Sequence, residues 1–438
     1  MPLTFPVLAS LIPEDIDVEL TCIDEGIQEV PEDLNADLVG MTVLTGSAMR
    51  AYELSKKLRN RGIPVVMGGP HITLIPEDAQ PHADSIVVGY AEETWPQLLR
   101  DFQSGRMKPR YDQDPGLSLA DRPLPDRSVL PRRKYLTSHV YEATRGCIHD
   151  CDFCVVPSAW GRKPMQHPVQ DIVADLRRNR TKRAVFIDLN IIADKAYARE
   201  LFTALIPLKL QWYGLATTLL CEDQALLDLA AESGCRGLLM GLESISEGNL
   251  RQSRKGFNRP EKYVQVVQRL HDRGIGLQGC FVFGLDQDEP DIFEKTANFA
   301  IEAGIDLPRF AIVTPFPGTT LFHRLEKEDR ILTRNWDLYD GQHTVFQPTG
   351  MSPDELQQGT EQAWLKAYSW RGIGNRLRHA AAPWPIALVT NLGYRRYAKR
   401  LHKFYHCGGM LAPDWLHNMA DRGKTVELTI DGLVRRSA

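Results

Sequence analysis

The stretch Arg145-Gly146-Cys147-Ile148-His149-Asp150-Cys151-Asp152-Phe153-Cys154 constrains this chain more than any other. It puts three thiols at C-x3-C-x2-C spacing directly after a strand-like run, His139-Val140-Tyr141-Glu142-Ala143-Thr144. Soft thiolates suit iron–sulfur chemistry, and three of them can hold three irons of a 4Fe–4S cubane. The loop has no fourth cysteine, so one iron keeps an open coordination site. Zinc is the competing metal, but a structural zinc usually wants four ligands in two paired groups. His149, the nearest extra donor, lies inside the loop, where ring closure would be tight.

Such thiols need a reducing setting. The chain has eight cysteines, sparse outside the loop, which fits the cytoplasm better than a secreted disulfide framework. The start, Met1-Pro2-Leu3-Thr4-Phe5-Pro6, lacks the basic region and apolar core of a signal peptide. No apolar run approaches the roughly 20 residues of a membrane-spanning helix. A net charge of −4 argues against a dedicated nucleic-acid binder, so no nucleic-acid partner is expected. With 438 residues, two or three domains are expected.

From Tyr135 onward, strand and helix patterns alternate regularly. Strand-like runs lie near 139–145, 183–189, 210–217, 236–242, 275–283 and 308–313, with helical patterns near 168–179, 194–206, 223–233, 260–273 and 289–303. Six β/α units predict an open, partial TIM-type barrel with its chemistry on the loops after the strands. The cysteine loop follows the first strand. Ahead of the barrel, strand patterns at 17–22, 36–43, 64–69 and 85–89 alternate with helices near 48–61, 76–79 and 92–102. That alternation predicts a second, Rossmann-like parallel sheet covered on both faces. Ligands of such sheets lie beyond the carboxyl ends of the strands, where Thr45, Gly46, Ser47, Gly68, Gly69, Gly89 and His71 fall. The expected organisation is a Rossmann-like domain at 1–103, a linker at 104–135, the barrel at 136–320 and an α-rich region at 321–438. The linker assignment rests on Pro115, Pro123, Pro125 and Pro131.

The cysteine spacing, with Phe153 before the third cysteine, resembles the radical S-adenosylmethionine (radical SAM) superfamily. This resemblance implies that the open iron chelates SAM and that reductive cleavage yields a 5′-deoxyadenosyl radical that abstracts a substrate hydrogen. The phrases Gly68-Gly69-Pro70-His71 and Val88-Gly89-Tyr90-Ala91-Glu92-Glu93-Thr94 resemble the cobalamin-binding domain that precedes many radical SAM enzymes. They imply cobalamin contacts at Thr45, Gly46, Ser47, Gly68, Gly69 and Gly89, in a domain that would lack its usual first strand here. No D-x-H-x-x-G motif occurs, so His71 reads as a loop residue rather than a cobalt ligand.

The same resemblance implies that Cys147, Cys151 and Cys154 bind the cluster and that Asp188, Asn190, Glu243, Ser244, Gly284 and Thr314 approach SAM. Asp188 can equally cap the following helix. Glu243 at a buried strand end needs a partner, which favours a functional role. Trp160, Gly161 and Arg162 can shield the cluster or reach SAM's carboxylate, or form plain surface. Cys221, Cys235 and Cys280 read as small core hydrophobes. Ser352, Pro353 and Glu355 spell a capping box. Residues 371–405 are basic and aromatic without acids, a pattern that suits a peripheral contact with the inner membrane, an anionic substrate or a solvated helix face.

The expected activity is a cobalamin-dependent C-methylation of an unactivated carbon. The alternatives are cobalamin-dependent cyclisation, oxidation or rearrangement, or a non-enzymatic iron–sulfur protein. The substrate would be a small molecule, lipid or peptide, and a flavodoxin or ferredoxin would supply electrons.

Overall fold

The computed structural model describes residues 1–114 and 116–401, and the backbone of two short antiparallel strands, Val426–Leu428 and Val434–Arg436. Of the sequence expectations, Pro115, Lys403, Phe404 and Tyr405 lie outside the described residues.

The N-terminal sheet is all parallel, with its strands side by side in chain order: β1 (Val39–Thr42), β2 (Val65–Gly68), β3 (Ser85–Val88) and β4 (Arg110–Asp112). The apolar runs of β2 and β3 are buried along nearly their whole length, as expected for central parallel strands. Helices Ala48–Arg59 and Thr94–Gln103 run between strands, and the core packs Val66, Val87, Leu98 and Tyr111 against Leu38, Ala91, Trp95 and Met107.

Two expectations need correction here. The segment read as a linker supplies β4, anchored by Tyr111, whose hydroxyl donates to Asp101 at 2.8 Å. The run Asp17–Cys22 alternates like a strand but is irregular and exposed, because no neighbouring strand pairs with it. Among the described residues no strand precedes Val39.

The second sheet has six strands: β5 (Val140–Tyr141), then, after a short antiparallel pair β6 (Thr144–Arg145) and β7 (Met165–Gln166), β8 (Arg183–Phe186), β9 (Gln211–Leu215), β10 (Cys235–Glu243), β11 (Gly276–Phe283) and β12 (Arg309–Ile312). Its order, β5-β8-β9-β10-β11-β12, follows the chain, as a partial barrel requires. Intervening helices start on side-chain caps: Asp194 accepts from Ala196 and Tyr197 N–H, Asp223 from Leu226, and Ser246 from Asn249. Alternate strand residues point to these helices, so that Phe186 and Phe202 pack on Trp212, and Phe281 meets Phe299.

The chain divides into two compact units, with the division inside β10: residues 1–240 with 272–275 and 316–319, and residues 241–271, 276–315 and 320–438. In the second unit, helix Pro353–Ala367 opens on the predicted capping box. Ser352 and Glu355 each receive the other's backbone N–H. Trp364 donates to Phe310 O at 2.8 Å and Tyr368 to Pro308 O at 2.8 Å, which docks the C-terminal helices on β12. No helix among the described residues is long and apolar enough to cross a membrane.

Candidate functional site

The cysteine loop leaves the sheet just after β5 and is bracketed by the β6–β7 pair. Cys151 is buried, Cys147 and Cys154 are half-buried, and all three carry thiols rather than disulfides. The Cys154 N–H donates to Cys151 O at 3.1 Å, a tight turn that starts the short helix Val155–Trp160. At its base, Tyr197 donates to Ala143 O at 3.2 Å and to His167 O at 2.7 Å. Arg162 reaches back across the loop to Ile148 O at 3.3 Å.

Asp188 is fully buried beside this loop. Its Oδ1 accepts from Thr144 N–H at 2.5 Å, Thr144 Oγ1 at 2.9 Å and Ala143 N–H at 3.2 Å. Burial pushes its pKa up to about 7, although the Ala143 and Thr144 donors favour the anion. The helix-cap expectation for this residue is corrected: Asp188 accepts from the strand that leads into the cysteines, and Asp194 caps the helix. Asn190, two residues on, behaves differently. It is 1% exposed and its Oδ1 accepts no hydrogen bond.

In the second unit, Glu243 ends β10 in a left-handed conformation (φ 65°) and is ion-paired to Lys255. Tyr263 donates to Leu242 O at 2.6 Å and Asn258 to Gly241 O at 2.8 Å, fixing this strand end. Ser244 is buried, and its hydroxyl accepts from Ser246 N–H at 3.0 Å. Thr314 donates back to Ile312 O at 3.2 Å. Gly284 is needed for packing: a Cβ there would sit 2.8 Å from Leu356 Cδ2 and 3.1 Å from Phe346 Cζ, at φ 91°. The side of Gly284 on which a Cβ would stand therefore faces the core.

At the N-terminal sheet, His71 is fully buried between Tyr52 OH, 3.0 Å from Nε2, and Thr45 Oγ1, 3.3 Å from Nδ1. The expectation of a loop residue is corrected: His71 lies in the short helix Pro70–Leu74, whose Pro70 favours a first helical turn. Thr45 is thereby engaged internally, and the Ser47 hydroxyl closes its own turn on Leu44 O at 3.1 Å. Gly89 N–H donates to Thr73 at 2.9 Å. Gly46, Gly68 and Gly69 are half-buried at the strand ends, near the exposed Leu44 (61%) and Met49 (44%).

The residues fit the implied groups. Three thiols in one loop are the donor set a cubane cluster takes, each on its own iron. The unmatched, buried Asn190 Oδ1 is an acceptor that an ammonium or hydroxyl would complete. A glycine-rich strand edge with exposed apolar side chains suits a large, flat macrocycle.

Sequence reasoning assigned no role to Tyr90, Glu92 or Arg145, which turn out to form one cluster, with Glu92 and Arg145 buried and Tyr90 half-buried. Arg145 (7% exposed) pairs with Glu92 (4%) and, at 2.6 Å, with Glu142; its guanidinium lies 4.6 Å from the Tyr90 ring. Tyr90 in turn stacks on Trp160 at 5.3 Å, with the rings 9° apart. The signal was a cation two residues before the first cysteine, which must find counter-charges once buried.

A partial barrel carrying three cysteines after its first strand, behind a parallel α/β sheet with a glycine-rich edge, defines a radical SAM enzyme with a cobalamin-type domain. Residues 7–99 match the B12 binding domain, and residues 141–300 match the Radical SAM superfamily. The chain is 30% identical over 413 residues to bacteriochlorophyllide d C-8(2)-methyltransferase of Chlorobaculum tepidum, covering 89% of this chain and 90% of that one. It is 29% identical to bacteriochlorophyllide d C-12(1)-methyltransferase of the same organism, covering 92% and 89%. The fold is shared with the radical SAM methyltransferase TsrM from Kitasatospora setae, solved with cobalamin and a [4Fe-4S] cluster (TM-score 0.57, 17% identity, 68% of this chain and 65% of that one). The chain belongs to the cobalamin-dependent radical SAM enzymes, whose cofactors are a 4Fe–4S cluster, SAM and cobalamin.

Proposed function

We propose that the chain is a cobalamin-dependent radical SAM methyltransferase acting on an unactivated carbon of a tetrapyrrole-like small molecule. The observation that carries this reading is the end-to-end similarity to two methyltransferases whose named substrates are bacteriochlorophyllides. Cys147, Cys151 and Cys154 would hold the cluster. Asn190 would accept from a polar group of SAM. Cobalamin would lie on the edge formed by Gly46, Gly68 and Gly69. When bound, these groups supply hydrogen-abstracting radical chemistry and a methyl donor. The chain's own residues orient and enclose: Asp188 and Tyr197 fix the strand that carries the cysteines, and the ion pair with Lys255 holds the Glu243 side chain in place at the end of β10. Anaerobic reconstitution with hydroxocobalamin tests the reading. Cobalamin bands in the visible spectrum, with 5′-deoxyadenosine and a methylated product, support it; SAM cleavage without cobalamin uptake removes methylation.

The reading extends to a flavodoxin- or ferredoxin-type electron donor and a cytoplasmic location at the inner membrane. Helix Trp384–Ala398 supports the membrane contact. Trp384 (62%), Ile386 (54%) and Val389 (69%) are exposed, followed by exposed Arg396, Lys399 and Arg400.

A further inference from the structure

The cluster formed by Arg145, Glu92, Glu142, Tyr90 and Trp160 is not explained by the reactions above, and it ties the cysteine loop to the N-terminal sheet. Tyr90 and Glu92 belong to the loop that follows β3, on the carboxyl edge of that sheet. Arg145 is the last residue of β6, two before Cys147, and Trp160 ends the helix that starts just after Cys154. The cysteines are thus flanked on both sides by residues that grip one loop of the N-terminal sheet. On one side the grip is a buried ion pair, on the other an aromatic stack.

We infer that Arg145 is a positioning residue for the cysteine loop, held by Glu92 so that the N-terminal sheet sets both the geometry and the electric field at the cluster. This rests on the reading of Cys147, Cys151 and Cys154 as cluster ligands. The charge balance supports it. Arg145 faces two carboxylates, so the group carries one more acidic than basic side chain beside the loop; Arg145 and Glu92 are buried, where solvent screens little, and Glu142 is half-buried. Glu92 also keeps one oxygen, Oε2, without a hydrogen bond although the residue is 4% exposed. A buried carboxylate only half matched by donors holds much of its charge unshielded. Guanidinium geometry matters as well as charge: Arg145 uses Nη1 toward Glu92 and Nε toward Glu142, a fork that the single ammonium of lysine lacks.

Adding an electron to the cluster is opposed by a nearby negative charge. Glu92→Gln keeps the shape and removes that charge, so it is expected to raise the cluster's midpoint potential in an EPR-monitored redox titration without substrate. Glu93→Gln serves as a control, because Glu93 is exposed and pairs with Arg122 instead. Tyr90→Leu leaves every charge in place but removes the ring shared by Arg145 and Trp160, and it is expected to speed loss of iron to a chelator. Arg145→Gln is expected to lose cluster content on reconstitution, with only partial recovery in Arg145→Lys. A Glu92→Gln cluster with wild-type potential overturns the inference, as does a Tyr90→Leu protein that releases iron at the wild-type rate. If the wild-type protein itself takes up no cluster, the ligand assignment fails instead, and the two failures are told apart by that control.

Discussion

Asp188 shows how a single side chain divides between stability and function. A carboxyl whose folded pKa lies above its unfolded value holds its proton in the folded state after the unfolded chain has released it. Its contribution to stability is complete below about pH 4 and is lost as pH rises toward 7. Asp288, buried against Asn249 and the Gly284 and Leu285 N–H groups, is also raised to about 7 by burial and acts in the same direction. Raising pH from 4.5 to 7.5 should therefore cost wild type on the order of 1–4 kcal/mol more than Asp188→Asn. Urea midpoints at the two pH values measure the difference, and equal losses in both proteins would contradict the burial account. None of this could be read from sequence, because the donors to Asp188 lie 44 and 45 residues away. For Glu243 the need for a partner was legible from its buried strand end, where it was read as favouring a functional role; the partner within the chain is Lys255.

At the scale of elements, most of the architecture was legible because the signals are local. The six barrel strands and their helices follow periodicity and capping, and the Ser352 box appears as written in the sequence. The failures are instructive. β4 has only three residues, Arg110-Tyr111-Asp112, too few to show alternation, and surrounding prolines disguised it as a linker. Asp17–Cys22 alternates well, yet alternation without a partner strand makes no sheet. Gly69 shows a constraint of the opposite kind. It links β2 to the next helix at φ 104° and ψ −179°, and a Cβ would lie 2.7 Å from Val43 N and 2.9 Å from Val43 O. Gly69→Ala should cost about 1–3 kcal/mol and weaken cobalamin uptake, read by thermal denaturation and by difference spectra. Helix Trp384–Ala398 is apolar on two sides: Ala387, Tyr394, Tyr397 and Ala398 are buried, whereas Val389 and Ile386 face outward. If lipid covers the outward side, Val389→Glu should reduce sedimentation with phosphatidylglycerol-containing vesicles. Unchanged partitioning would leave that side as solvated surface.

For the whole molecule, the question is whether its cofactor sites are built separately or as one assembly. The N-terminal sheet has its own core around Val66, Val87, Leu98 and Tyr111, none of which depends on the cysteines. The loop that follows β3 grips the flanks of the cysteine loop through Arg145 and Trp160, not through the thiols themselves. Replacing the thiols therefore removes the proposed iron ligands while leaving that grip and the glycine edge unchanged. The protein with Cys147, Cys151 and Cys154 all changed to Ala should take up cobalamin as wild type does, yet form no 5′-deoxyadenosine from SAM under reducing, anaerobic conditions. Spectrophotometric titration with hydroxocobalamin and chromatography of the SAM products give the two readouts independently. A triple variant that loses cobalamin uptake while keeping wild-type thermal stability would mean that the cluster itself completes the cobalamin site. The N-terminal sheet would then be an incomplete binding domain, and the division of labour drawn from its separate core would be wrong.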